Sequence, residues 1–243
     1  MKKALIIIVV FISFRSVCVA NSHKTISYEE FQAEFGLLSK RMETQKKFSV
    51  SVSYSSYEKG STEVVHDHAQ GFVNRDYYKV HSSMMGVQTI QDGGKRLVVD
   101  SLNRIIAMAS PDSMVYMTFF KELSGKVLAK AIKIDRLEDG GNIQYRLKFD
   151  ENMPVLNYVI LIDQSKLIRK IEIEFNRKIE NAQGAKASLN VRINFDNWNF
   201  RPVFKNSEFQ FERFVSERNN KFYLQREYSG YEFLDQRLHI SSK

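Results

Sequence analysis

The sequence predicts a mainly β protein of the α+β class, an antiparallel sheet with one wet and one dry face under two amphipathic helices. Three observations carry that prediction. Apolar and polar residues alternate at period two in segment after segment, the mark of strands with one buried face. Short turns rich in Gly, Asp and Asn separate those segments. Only two stretches show helical spacing instead. The composition agrees: of 243 residues 43% are hydrophobic and only 3 are proline, so a large core is affordable and strands are rarely interrupted.

The first twenty residues read as a secretory signal peptide. Lys2 and Lys3 precede the apolar run "ALIIIVVFISF", and "VCVA" ends at Ala20 with small residues suited to cleavage. The run is too short for a comfortable membrane span, and Arg15 interrupts it near its end. Removing the segment takes away Lys2, Lys3 and Arg15 and lowers the formal charge from +8 to +5. So mild and scattered an excess describes a solvated surface rather than a nucleic-acid site. The sole cysteine, Cys18, lies inside the leader, so residues 21–243 carry no disulfide, thiol nucleophile or cysteine metal site. Those residues form one expected domain, with a C-terminal extension from about residue 213.

"TISYEEFQAEFGLLSKRMETQ" is the first helical stretch. Ser27 is placed to cap it, with Glu30 three residues on as the return partner of a capping box. Phe31, Phe35, Leu38 and Met42 then fall on one face. At Phe48 the period changes to two: Phe48, Val50, Val52 and Tyr54 alternate with serines. The same alternation returns at Tyr145–Leu147–Phe149, at Ile171–Ile173–Phe175 and at Leu189–Val191–Ile193–Phe195. "VLNYVILI" is apolar on both faces and reads as a central strand, joined by the short hairpin "DQSK" to the next. Asp92–Gly94 and Asp139–Gly141 repeat "DGG". Neither opens a helix after a parallel strand, so both read as hairpin turns rather than phosphate loops. The pattern yields about ten strands. The second helical stretch, from Ser110, places Pro111 at its first turn and Met114, Met117, Phe119 and Phe120 around an apolar surface.

No nucleophile elbow, zinc-protease helix, phosphate loop or dinucleotide fingerprint occurs. His66 and His68 are the most chemical pair, since residues two apart on a strand face the same way, and His81 is the nearest third ligand in sequence. Two ligands fall short of a zinc site, and a polar strand face explains both histidines, so no metal is expected. No cofactor is expected either, and Glu29, Glu30, Asp67 and Asp135 form no recognisable catalytic pair. Methionines are concentrated instead: Met84, Met85, Met108, Met114 and Met117 fall in one short window. Unbranched and polarizable, they suit a surface that adapts to apolar ligands, although ordinary core filling also uses them.

The segments "GFVNRDYYKV" and "QTIQDGGKRLVVDSLNRIIAM" resemble the LolA-type periplasmic lipoprotein carriers, a superfamily that includes LolA, LolB and RseB. "VILIDQSKLIRKIEIEF" is similar to that superfamily's central hairpin, and "INFDNWNFRPVFKNSEFQFE" to its closing strand and loop. The resemblance implies an unclosed antiparallel β-barrel, a half-pipe covered by the N-terminal helix and a short lid helix. It implies a non-catalytic periplasmic carrier for lipoprotein acyl chains or other lipids, passed between membrane-bound donor and acceptor proteins. Val50, Val52, Leu97, Val99, Ile106, Met108, Ile173 and Val191 would line the cavity, Met114, Met117, Phe119 and Phe120 would sit on the lid, and Arg75 would be the lid latch. The charged, aromatic-rich extension after Phe211 departs from the minimal fold. It leaves open an alternative, a periplasmic sensor or accessory module that binds a protein partner through the half-barrel and this extension.

Overall fold

The computed structural model describes residues 22–58, 67–111, 127–180, 186–219 and 221–239. The expected signal peptide, His66 and the four lid residues Met114, Met117, Phe119 and Phe120 lie outside the described residues. In chain order the elements are β1 (Ser22–Ile26), α1 (Tyr28–Thr44), β2 (Lys47–Glu58), β3 (Asp67–Asp76), β4 (Lys79–Met84), β5 (Val87–Asp92), β6 (Arg96–Asp100) and β7 (Ile105–Ala109). They continue with β8 (Lys133–Asp139), β9 (Asn142–Lys148), β10 (Val155–Ile162), β11 (Ile168–Glu180), β12 (Lys186–Asn199), β13 (Val215–Arg218), β14 (Lys221–Leu224) and β15 (Glu232–Asp235).

Thirteen of these strands form one unclosed sheet in the order β1-β8-β9-β10-β11-β12-β2-β3-β4-β5-β6-β7-β15, the expected half-barrel wall. Every neighbour pairs antiparallel except β15, which lies parallel to β7. β13 and β14 form a separate hairpin. Sequence reading missed β1, whose "SHKTI" has only its last residue buried and no apolar alternation to announce it.

The turns follow their side chains. In the β6–β7 turn the Asp100 carboxylate accepts from the amides of Leu102 and Asn103. Asp163 does the same for Leu167 between β10 and β11, and also accepts from Arg169 Nε at 2.7 Å. Gly140 and Gly141, both at positive φ, make the two-residue link between β8 and β9 that glycine permits without steric cost. Gly71 in β3 has a different reason, because a Cβ there would stand 2.0 Å from the Ser83 carbonyl oxygen of β4.

α1 starts at the expected capping box: the Glu30 amide donates to Ser27 Oγ at 3.1 Å, and the Ser27 amide to Glu30 Oε2 at 3.0 Å. The helix seats an aromatic ladder on the sheet. Phe31 stands edge-on to Tyr145 of β9, ring centroids 5.1 Å apart, and stacks on Phe35 at 5.4 Å. A polar tie holds the same junction. Glu34 accepts from Arg136 Nε of β8 at 3.0 Å and from the Tyr145 hydroxyl, and Arg136 also binds Glu138. Burial, with the Glu34 carboxylate beside it, drives the Tyr145 hydroxyl far above its ordinary range, so it serves as a permanent donor.

Pairing register assigns the faces. Ile26, Ile134, Leu147, Tyr158, Ile173 and Val191 stand opposite one another in succession, an apolar row from the β1 edge to β12 on the side that α1 covers. Val50 and Val73 continue that side into β2 and β3, and Phe48, Arg75 and Val80 form the neighbouring row. The other side carries a second row: Asn74, His81, Ile90, Leu97 and Met108. Its apolar members pack with Val99, Ile106, Phe211, Phe214 and Val215 into a separate core, bordered by Phe222, Leu224, Tyr228, Tyr231 and Phe233. One sheet thus has two cores, one under α1 and one under the C-terminal segment.

Two outcomes are expected from this packing. Leu97→Ala, at a fully buried position beneath the C-terminal segment, should cost about 2–5 kcal/mol in urea unfolding; an effect near zero would mean that the back-face core is loose. Tyr145→Phe should cost about 1.5 kcal/mol through the lost bond to the Glu34 carboxylate. Combining it with Glu34→Gln in a double-mutant cycle checks that the loss belongs to this pair.

Candidate ligand-binding face

Four of the residues expected along the cavity, Val50, Val52, Ile173 and Val191, project from the helix-covered face and are nearly fully buried. The other four do not share that face. Leu97, Val99, Ile106 and Met108 project from the back face and pack against the C-terminal segment. The physical reason lies in the hairpin register. Gln91 pairs with Val80 and Arg96 with Gln91, so the helix-side set of β5 to β7 is Thr89, Gln91, Arg96, Val98, Ala107 and Ala109. The more apolar set of these strands therefore points away from α1. On the sequence the stronger apolar set reads as cavity-facing, because a second cover is not visible there.

The helix-covered face changes character along the sheet. Over β8 to β12 it is large and apolar, with Tyr145, Tyr158, Ile160 and Ile171 beneath α1. Trp198 extends it at one end, tilted against Phe48 at 5.6 Å and stacked on Phe200 at 5.9 Å, its indole N–H donating to the Ile168 carbonyl. Across β3 to β7 the side chains are smaller and more mixed: Val73, Ser82, Met84, Thr89, Val98 and Ala107. Arg75, Gln91 and Arg96 share that half, so the face passes from large apolar groups over β8 to β12 to mixed apolar and polar ones over β3 to β7. Arg75, the expected latch, lies on this face between Phe48 and Val80, and its Nε donates to the Tyr77 carbonyl at 2.9 Å. Its expected lid partners lie outside the described residues.

The histidines separate. His68 is exposed and contacts Ser55 Oγ at 3.4 Å. His81 pairs across from Asn74, six residues along β3 from His68, which is about 20 Å at strand rise. Among the described residues no group of three His, Cys, Asp or Glu side chains could hold a metal ion.

His81 belongs instead to a polar cluster on the back face that sequence reasoning missed. Its Nδ1 lies 3.0 Å from Glu208 Oε1 and its Nε2 lies 3.1 Å from an Arg213 terminal nitrogen. Asn74 donates to the same Glu208 oxygen at 2.9 Å, and Arg213 also donates to Gln88 at 3.2 Å. Phe72 sets its ring perpendicular to the imidazole, centroids 4.8 Å apart. Arg213 further borders an open surface depression of about 610 Å³, lined with Glu212, Gln225, Arg226 and Glu227. His81 lies more than a hundred residues from both Glu208 and Arg213 in the chain, so no local motif announces the cluster.

No family model and no curated protein matches the chain. Among solved structures it is similar to a DUF1329 family protein from Desulfovibrio piger ATCC 29098, at 11% identity and a TM-score of 0.30, over 74% of this chain and 97% of that one. It is likewise similar to the Mycobacterium tuberculosis lipoprotein LppX, at 14% identity and a TM-score of 0.34, over 73% of this chain and 99% of that one. Likenesses this distant carry no argument about activity, and the fold described above rests on strand order and register.

Proposed function

We propose that this protein is an exported, non-catalytic carrier of lipid or lipoprotein acyl chains, held against the helix-covered face of the half-barrel. The observation that carries the reading is the apolar cross-strand row from Ile26 to Val191 under α1, on a sheet whose two ends do not close on each other. The resemblance of "GFVNRDYYKV" and "QTIQDGGKRLVVDSLNRIIAM" to LolA-type carriers supports the same function, and the basic, apolar and small-residue order of residues 1–20 supports export to the periplasm.

The physics of such a carrier is simple. Each methylene exposed to water costs about 0.8 kcal/mol, so an acyl chain of roughly fifteen costs on the order of 12 kcal/mol. A soluble shuttle removes that cost with an apolar surface and a cover that opens at each membrane, and no bond needs to change. In this reading Val50, Val52, Ile173 and Val191 form the wall, and Met114, Met117, Phe119 and Phe120 form the lid. Arg75 latches that lid, and membrane-bound donor and acceptor proteins open it.

Native mass spectrometry of protein purified from the periplasm without detergent should reveal a co-purifying acyl-chain mass that a fluorescent fatty-acid analogue displaces. Met117→Glu should weaken binding of the analogue by roughly tenfold or more while the thermal midpoint holds. A bare protein that ignores the analogue contradicts the proposal.

A further inference from the structure

We infer that the C-terminal segment is an acid-released cover, and that His81 is the group whose protonation detaches residues 206–215 from the back face. This stands on a part of the molecule that the acyl-chain reading does not use.

The geometry assigns the ring's protonation state. Arginine only donates, so the Arg213 contact makes His81 Nε2 an acceptor and leaves the ring hydrogen on Nδ1, donating to Glu208. The resting imidazole is neutral and both of its nitrogens are engaged by one short stretch of chain. That stretch is the one that roofs the second core, because Phe211, Phe214 and Val215 are buried in it. A second proton on the ring would place an N–H directly against the Arg213 guanidinium, with no acceptor between two cations. His81 is buried while Arg213 is exposed at the rim, so water screens the pair from one side only.

Among the described residues the charged groups that face His81 are few. From the C-terminal segment they are Glu208 and Arg213, with Glu212 beside Arg213 at the rim of the depression. On the sheet, Asn74 and Gln88 are uncharged, and Lys79, two residues along β4, sits across from Asp76 and Asp92. Glu208 favours the protonated ring and Arg213 opposes it. Burial comes first, and with Arg213 it outweighs Glu208, so the imidazole lies below its ordinary range. Burial alone would raise Glu208, but its bonds from His81 and Asn74 outweigh that and leave it below the usual carboxylate range.

The direction with pH follows. A histidine depressed by folding binds its proton more readily when released, so the covered state is fully favoured above about pH 6.5 and loses ground as pH falls below it. Glu208 remains ionised through that interval, which leaves His81 as the group in the cluster that changes charge. Release begins at the 206–215 end. β15 keeps its backbone ladder to β7, and the Glu232 amide its bond to the Arg104 carbonyl.

The test is amide exchange, read as protection factors so that intrinsic rates divide out, at pH 7.5 and pH 5.0. Protection at the Phe214, Val215 and Gln225 amides should fall by roughly tenfold at the lower pH, the loss of one charge-assisted hydrogen bond, while amides beneath α1 hold. His81→Gln, which can both donate and accept but cannot titrate, should keep the cover protected at both pH values. Equal protection of the wild type at both pH values overturns the inference, as does a fall in His81→Gln matching the wild type. Should His81→Gln be unprotected even at pH 7.5, the imidazole titration of the wild type by NMR decides. Titration below the free-imidazole value supports acid release, and titration at or above it overturns it.

Discussion

Strand register is the constraint on which the rest of this structure depends. Side chains on a strand alternate with period two, so each hairpin decides which residues of the next strand share a face, and a slip of one residue exchanges them all. From β8 through β2 the register gathers the large apolar residues on one side, where α1 covers them. From β5 through β7 the same continuous ladder turns the more apolar set outward instead. No bulge intervenes between those strands, so the change is one of residue placement rather than backbone geometry.

That change explains the C-terminal segment. A face carrying Ile90, Leu97, Val99, Ile106 and Met108 cannot remain in water without a large cost, since each such side chain gains about 1.5–3 kcal/mol on burial. The segment supplies buried aromatics, a short hairpin and β15, which extends the sheet beyond β7 in the parallel sense. Its polar anchors do a different job from its apolar ones. Phe211 and Phe214 provide the burial, whereas Glu208 and Arg213 fix position around one imidazole. The helix side repeats the arrangement, with Phe31 providing burial against Tyr145 while Glu34 ties Arg136 and the Tyr145 hydroxyl. Each cover thus combines an aromatic contact with a carboxylate that satisfies buried donors.

Much of this was legible in the residues. Ser27 and Glu30 announced the start of α1, the Phe48–Tyr54 alternation announced β2, and the two "DGG" runs and "DQSK" announced hairpins. What could not be read was the side on which each alternation lies. Within β6, Leu97 and Val99 plainly share a face, but whether that face is Val50's depends on every turn between them. Counting the pairing through Tyr77–Tyr78, Met85–Gly86 and the Asp92 turn would have placed Leu97 with His81 rather than with Val80. His81 read only as a third ligand for the His66–His68 pair, because its actual partners Glu208 and Arg213 lie more than a hundred residues further along the chain.

The central claim is that the two faces differ in role, the helix-covered one holding an acyl chain and the back one holding the chain's own C-terminal segment. A fatty acid with a photoreactive group at its tail, irradiated with the protein and mapped by peptide mass spectrometry, tests this most directly. Label on helix-side positions such as Val73, Met84 and Ile173 is the result the account predicts. Label on Leu97, Ile106 or Met108, or no label at saturating fatty acid, would contradict it.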